Sequence, residues 1–172
     1  DSIGPVFYKQ VRVGRNNMDF QLFKFRSMRV GSDKKGLITV GGHDPRITRS
    51  GYYIRKYKLD EFPQLINVFK GDMSLVGPRP EVRKYVDMYT EEQMHVLDVR
   101  PGITDLASIR YRNENEPPFL STDFERVNDP DKYYVEVIMP DKLRINLEYV
   151  ARHSFTFDIR LIFQTFRAIV SE

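Results

Sequence analysis

Residues 59–80 read Leu59-Asp60-Glu61-Phe62-Pro63-Gln64-Leu65-Ile66-Asn67-Val68-Phe69-Lys70-Gly71-Asp72-Met73-Ser74-Leu75-Val76-Gly77-Pro78-Arg79-Pro80. Two adjacent carboxylates open a short apolar helix, predicted over residues 60–70 and ended by Gly71 as its C′ residue. A Gly-Pro-Arg-Pro turn follows, in which Pro78 and Pro80 fix φ on either side of Arg79 and present its guanidinium at little entropic cost. A carboxylate nucleophile beside a metal-binding carboxylate, facing an arginine suited to phosphate oxygens, is the equipment of phosphoryl transfer through an acyl phosphate.

The pair also has a structural reading. Asp60 would be an N-cap and Glu61 would favour the helix dipole. On spacing alone this is the commoner use of such a pair. Adjacent residues on a regular helix point about 100° apart. Both carboxylates therefore converge on one ligand only if one is in the cap and the other in the first turn. A helix start suits a bound phosphate, and its field would lower the Asp60 pKa and keep the group ionised.

Upstream, Val6–Val13 and Met18–Met28 are rich in β-branched and aromatic residues, and Gly14-Arg15-Asn16-Asn17 separates them. This predicts a β-hairpin. Gly31–Gly42 reads as a surface loop, and Ser50 as the cap of a helix over Tyr52–Tyr57. Downstream, Glu81–Tyr89 and Thr90–Val99 read as helical, the second opened by a capping box of Thr90 and Gln93. Ile103–Tyr111 is predicted extended, and Asn113–Asp131, with Pro117, Pro118 and Pro130, mostly loop. Two amphipathic helices close the chain. The first carries Leu143, Leu147, Val150 and Ala151 on one face. The second carries Ile159, Ile162, Phe163, Phe166, Ile169 and Val170 opposite Arg160, Gln164 and Arg167. That stripe is read as facing a core, with a membrane-surface role as the second reading. The expected architecture is one α+β, α-rich domain over residues 1–172, with a short N-terminal hairpin, several short helices and C-terminal amphipathic helices.

The chain has 172 residues, enough for one domain with a real core. It has no cysteine, which excludes disulfides and thiolate metal sites. His43, His95 and His153 lack metal-ligand spacing. The net charge of +3 hides an asymmetry: residues 1–80 carry 15 Lys/Arg against 7 Asp/Glu, and residues 81–172 carry 12 against 17. The basic half would attract an anion: nucleotide, nucleic acid or membrane phosphate. No nucleic-acid recognition motif accompanies it. No apolar run approaches the ~18 residues of a membrane span, and no signal peptide opens the chain. The absent initiator methionine suggests that a segment once preceded Asp1. Besides Arg79, the cations that could converge on a phosphate-rich ligand are Lys24, Arg26, Arg46, Arg49, Arg55 and Arg112.

Six blocks in order resemble the bacterial sugar transferases, the monotopic phosphoglycosyl transferases. They are Gly4-Pro5-Val6-Phe7-Tyr8-Lys9-Gln10, Lys24-Phe25-Arg26-Ser27-Met28, Asp44-Pro45-Arg46-Ile47-Thr48-Arg49, Leu59-Asp60-Glu61-Phe62-Pro63-Gln64-Leu65, Lys70 to Pro80, and Arg100-Pro101-Gly102-Ile103-Thr104. The resemblance implies transfer of a sugar 1-phosphate from a UDP-sugar to a membrane polyprenyl phosphate with release of UMP, as the first step of surface-glycan assembly. It implies Asp60 as nucleophile, Glu61 with Asp60 as ligands of Mg²⁺, and Arg79 as a phosphate binder. Arg55 and Arg112 stand where the family tends to place arginines. It further implies attachment at the cytoplasmic face of the bacterial inner membrane, with homo-oligomer formation left open. The family usually carries an apolar re-entrant segment just before the first block, which this sequence lacks. Asp105 replaces the usual glycine after Gly-Ile-Thr, and Asn146 replaces a common aspartate. A non-catalytic membrane-surface scaffold or partner-binding module of a polysaccharide assembly system is the alternative.

Overall fold

The alternating, β-branched N-terminal sequence forms two strands, β1 (Phe7–Val13) and β2 (Asp19–Phe25), paired antiparallel from Phe7↔Phe25 to Val13↔Asp19. Asn16 and Asn17 make the reversal at φ 56° and 60°, a left-handed region that asparagine tolerates better than most residues. Val13 and Leu22 turn inward and are buried, while Phe7 and Phe25 stack across the far end. The computed structural model describes residues 1–32, 44–110 and 129–170. Most of the loop read over Gly31–Gly42 and most of that over Asn113–Asp131 therefore lie outside the described residues.

Helix α1 (Arg49–Lys56) is capped by Thr48, whose hydroxyl accepts from the Gly51 N–H at 3.0 Å, and not by Ser50. Thr48 also hydrogen-bonds the Ser27 carbonyl through its own N–H, so the cap and the docking of the helix use one residue. Ser50 lies inside the first turn, where its N–H and hydroxyl donate to Asp1.

Helix α2 (Gln64–Lys70) ends at Gly71, φ 82°, as expected. Its burial is inverted. Gln64 and Asn67 are buried, whereas Phe62, just before it, and Leu65, Ile66 and Phe69 face outward. The Asn67 amide explains the inversion. Its oxygen accepts from the Phe23 N–H and its nitrogen donates to the Gln21 carbonyl at 2.7 Å, bonds that a buried amide requires and that fasten α2 to the hairpin.

Strands β3 (Ser74–Val76) and β4 (Gly102–Thr104) form a parallel pair that sequence reading did not foresee. Between them run α3 (Arg83–Val86), α4 (Glu91–Met94) and a 3₁₀ turn over His95–Asp98. The Thr90–Gln93 capping box is present in both directions. The extended reading of Ile103–Tyr111 holds only to Thr104. Asp105 then caps α5 (Leu106–Arg110) by accepting from the Ser108 N–H, the ordinary effect of an aspartate before a helix.

A short α6 (Pro130–Tyr133) continues through a π turn (Tyr134–Ile138) into α7 (Met139–Arg152), so the predicted loop ends before Pro130. Helix α7 is the spine of the core. Met139 and Leu143 pack with Val82, Tyr85 and Val96; Ile145 packs with Ala107 and Ile138; Tyr149 packs with Val76 and Leu161. Leu147 and Val150 flank these clusters, while Ala151 is exposed.

Helix α8 (Phe155–Val170) corrects the core-facing reading of its stripe. Leu161 is fully buried, with Phe157 and Ile162 beside it, whereas Phe155, Ile159, Phe163 and Phe166 are exposed. Apolar periodicity showed which face was greasy, but the packing uses the neighbouring face.

Gly102 is where β3 and β4 approach most closely. A Cβ there would lie 2.1 Å from the Gly77 nitrogen. Gly102→Ala should therefore destabilise the domain by about 3 kcal/mol through forced separation of the backbones, measured by urea unfolding. A change below 1 kcal/mol would show that the approach is not enforced.

Candidate active site

The chain leaves α1 through Lys58, φ 55°, and enters a 3₁₀ turn over Leu59–Glu61. Pro63 then begins α2 at φ −62°. Asp60 and Glu61 thus lie on a tight turn between two helices and do not open one. Asp60 caps nothing, contrary to its structural reading: neither the 3₁₀ turn nor α2 receives a side-chain cap bond. The residue is only 7% exposed, so its carboxylate is buried without the usual structural return.

Glu61 turns toward β2 and the Pro-Arg-Pro turn. Its Oε1 accepts from Lys24 Nζ at 3.2 Å and from Arg79 Nη2, and its Oε2 accepts from Arg79 Nη1 at 3.3 Å. Arg79 therefore grips the carboxylate with both prongs of its fork. Burial by itself would raise the Glu61 pKa, but the charges of Arg79 and Lys24 overcome this and hold it far below the usual range. Lys24 is half-buried, and its withdrawal from water lowers its pKa; Glu61 opposes that shift.

For Asp60 the balance goes the other way. Burial raises its pKa, Glu61 adds to the rise, and Lys24, Arg55 and Arg79 act against it. The helix-field expectation of a lowered pKa fails because the carboxylate is removed from water and caps no helix. No described group donates a hydrogen bond to Asp60; its cationic neighbours act through space. The structure thus brings together Asp60, Glu61, Lys24 and Arg79, with Arg55 in electrostatic range.

Of the other predicted cations, two are engaged elsewhere. Arg26 pins the N-terminus through Ser2 and Pro5. Arg46 forks onto Asp44. Arg49 is exposed at the first residue of α1, the end away from Asp60. Arg112 lies outside the described residues.

Arg79 is aimed by its backbone. The Pro78 carbonyl accepts from the Gly102 N–H at 3.0 Å, the Pro80 carbonyl from Arg12 Nη1 at 3.0 Å, and the Glu81 carbonyl from the Val13 N–H at 2.9 Å. Behind the turn is a small cleft lined by Val13, Pro78, Arg79, Glu81, Leu143 and Asn146. The buried Asn146 Oδ1 has no hydrogen-bond partner among the described residues. Sequence reasoning missed Glu81 as part of this site. Its adjacency to Pro-Arg-Pro was the available signal.

The bacterial sugar transferase family matches the whole chain, residues 1–172. This chain belongs to that family. It is 37% identical over 174 residues to a UDP-N-acetylgalactosamine-undecaprenyl-phosphate N-acetylgalactosaminephosphotransferase of Aeromonas hydrophila, a match covering 99% of this chain and 37% of that protein. It is 38% identical over 166 residues to the uncharacterized sugar transferase EpsL of Bacillus subtilis (strain 168), covering 96% of this chain and 70% of that protein. It is 35% identical over 176 residues to a UDP-glucose:undecaprenyl-phosphate glucose-1-phosphate transferase of Escherichia coli (strain K12), covering 99% of this chain and 34% of that protein. The sugar transferase chain thus spans about a third of two of these relatives and over two thirds of the third.

Mg²⁺ is usually held by one or two carboxylates together with substrate phosphates and water, not by an all-protein cage. Among the described residues no three acidic or histidine side chains cluster as a cage would require. Asp60 supplies a hard oxygen and holds no described hydrogen bond that a cation would have to break; both Glu61 oxygens accept from Arg79, so Glu61 would join the ion only as Arg79 turns to the diphosphate. This donor set fits a divalent ion that arrives with a diphosphate.

The two acids have opposite consequences for stability. Glu61→Gln leaves the half-buried Lys24 charge without its partner and should cost about 2 kcal/mol, less than a fully buried pair because Lys24 and Arg79 are partly exposed. Asp60→Asn removes a carboxylate whose folded pKa is raised, so it should stabilise the protein at neutral pH. That gain should shrink as pH falls through the folded pKa and vanish below the unfolded value near 3.8. Chemical unfolding across pH checks both; equal effects of the two variants would contradict this electrostatic picture.

Proposed function

We propose that this domain transfers a sugar 1-phosphate from a UDP-sugar to a polyprenyl phosphate, releasing UMP, through a covalent phosphosugar on Asp60. The observation that carries the reading is the Asp60 carboxylate: buried, uncommitted to any cap, and flanked by Lys24, Arg55 and a doubly clamped Arg79. A fold gains nothing from such a group, and function is the usual reason for one. Relatives carry the names of undecaprenyl-phosphate sugar-phosphate transferases, which supports this reaction class.

In the first step an Asp60 oxygen attacks the phosphorus that bears the sugar. The bond from that phosphorus to the bridging oxygen breaks, and the electron pair leaves with UMP. In the second step a phosphate oxygen of the polyprenyl acceptor attacks the same phosphorus. The acyl–phosphate bond breaks, and Asp60 regains its carboxylate. The raised pKa makes ionised Asp60 a stronger base and a better nucleophile than an ordinary aspartate. Arg79 and Lys24 set positive charge against the phosphates. Mg²⁺, held by Glu61 and Asp60, would offset charge on the diphosphate and improve UMP as a leaving group.

The same reading places the domain on the cytoplasmic face of the bacterial inner membrane, where nucleotide sugars and the lipid acceptor meet. Among the described residues no helix is long and apolar enough to cross a membrane. Instead Phe62 and, on α2, Leu65, Ile66 and Phe69 face outward directly after the carboxylate pair, and α8 presents Phe155, Ile159, Phe163 and Phe166 beside the exposed Arg160 and Arg167. Aromatic side chains with flanking arginines suit an anionic lipid surface.

Incubation with a panel of UDP-sugars labelled in the sugar-bearing phosphate should give a hydroxylamine-sensitive adduct on Asp60 and release of UMP. Asp60→Asn should lose both, by roughly 10³-fold or more; retention of a tenth of the activity would refute the nucleophile assignment. Because Lys24 lowers the Asp60 pKa, Lys24→Met should move the acid limb of the pH–rate profile to higher pH. Phe163→Glu with Phe166→Glu should weaken co-sedimentation with anionic vesicles at least tenfold, without loss of fold by circular dichroism; unchanged vesicle binding would remove α8 from the membrane face.

A further inference from the structure

Glu81 stands two residues after Arg79 and makes four contacts that have no role in the chemistry above. Its carbonyl accepts from the Val13 N–H at 2.9 Å. Its Oε1 accepts from Arg12 Nη1 at 3.1 Å and from the Val82 N–H at 2.9 Å. Its Oε2 accepts from the Tyr134 hydroxyl at 2.6 Å. Arg12 Nη1 also holds the Pro80 carbonyl, and Gln10 Oε1 accepts from the same guanidinium at 2.9 and 3.1 Å. Tyr134 opens the π turn before α7, and its ring packs on Tyr85 at 4.9 Å.

These contacts fix one end of the arginine-bearing turn. Its other end is fixed by Gly77 N–H to the Thr104 carbonyl and by Gly102 N–H to the Pro78 carbonyl. Pro80 fixes its own φ and biases Arg79 toward extended backbone. With both ends pinned, the Arg79 backbone is fixed and its guanidinium is delivered to Glu61. π turns are uncommon and recur at functional positions; this one delivers a phenol to the residue that anchors the turn.

We infer that Glu81, held by Arg12 and Tyr134, is a positioning residue that aims Arg79 at the phosphates. The inference rests on the phosphate-binding reading of Arg79. Electrostatics and positioning predict opposite signs here. Glu81 is an acid close to an anion site, so by Coulomb attraction alone its removal, which also unmasks Arg12, should tighten anion binding. As a positioning residue, its removal should weaken binding.

The test is binding of inorganic diphosphate with Mg²⁺ by calorimetry, in a double-mutant cycle. Arg79→Met should lower affinity about tenfold, Glu81→Ala about fivefold and Tyr134→Phe about threefold, magnitudes set by one misplaced charge-assisted contact. In the Arg79→Met background, Glu81→Ala and Tyr134→Phe should each change affinity by less than about 1.5-fold, because they act through the arginine. Tyr134→Phe keeps the ring and removes one hydroxyl, so it serves if Glu81→Ala fails to fold. Tighter binding in either single variant, or equal losses with and without Arg79, would overturn the inference. An Arg79→Met variant that binds diphosphate as well as wild type would instead refute the phosphate-binding reading itself.

Discussion

One carboxylate holds this site together. Glu61 accepts from Lys24 on β2 and from both prongs of Arg79 on the Pro-Arg-Pro turn. It therefore ties the hairpin to the turn through a single side chain. Without it, Lys24 would be a half-buried cation with no direct ion-pair partner among the described residues, and Arg79 would lose the group that orients its fork. The pair also sets the conditions for Asp60. Two cations neutralise Glu61 by direct contact, so Asp60 is left with burial as the dominant influence and with cations only through space. Adjacent acids of the same chemistry thus reach opposite protonation behaviour, which separates a group suited to attack from one suited to hold charge.

The backbone around Arg79 follows the same logic of fixed ends. The parallel pair β3–β4 is only three residues long on each side, too short to be stable by itself. It persists because Gly77 and Gly102 let the chains close in, and because Val76 packs against Tyr149 and the fully buried Leu161. A small piece of sheet is thereby made rigid by a core that α7 organises. The turn that follows inherits that rigidity.

How much of this could be read from the residues depended on whether the signal was local. The hairpin, the Thr90 capping box and Gly71 were legible because each is written in neighbouring residues. So were the acid pair and the proline-flanked arginine. The cap of α1 went to Thr48 because the Ser27 carbonyl, 21 residues away, engages that residue. The short strands carried too few residues for any period to show. Asp105 was a cap signal in plain view, outweighed by the β-branched residues before it. Arg26 and Arg46 matched the composition of a phosphate site, but their partners proved to be nearby carbonyls and Asp44. No local pattern connects Tyr134 to Glu81 across 53 residues.

The two inverted helices show the limit of periodicity most clearly. A hydrophobic stripe states that a face avoids water; it does not state what covers it. In α2 the buried side is chosen by Asn67, whose amide must satisfy strand β2 and therefore cannot face solvent. The apolar residues are forced outward by that bond. In α8 the choice is made by Leu161, which fills the gap beside Val76 and Tyr149. Both helices therefore present side chains such as Phe69 and Phe163 to the outside as a consequence of packing elsewhere, at an energetic cost in water that isolated folding would not select. That cost disappears if the outward faces rest in lipid. Because α2 begins three residues after Glu61, a lipid-embedded α2 would set the carboxylate pair at the level of the headgroups, where the phosphate of a lipid acceptor is found.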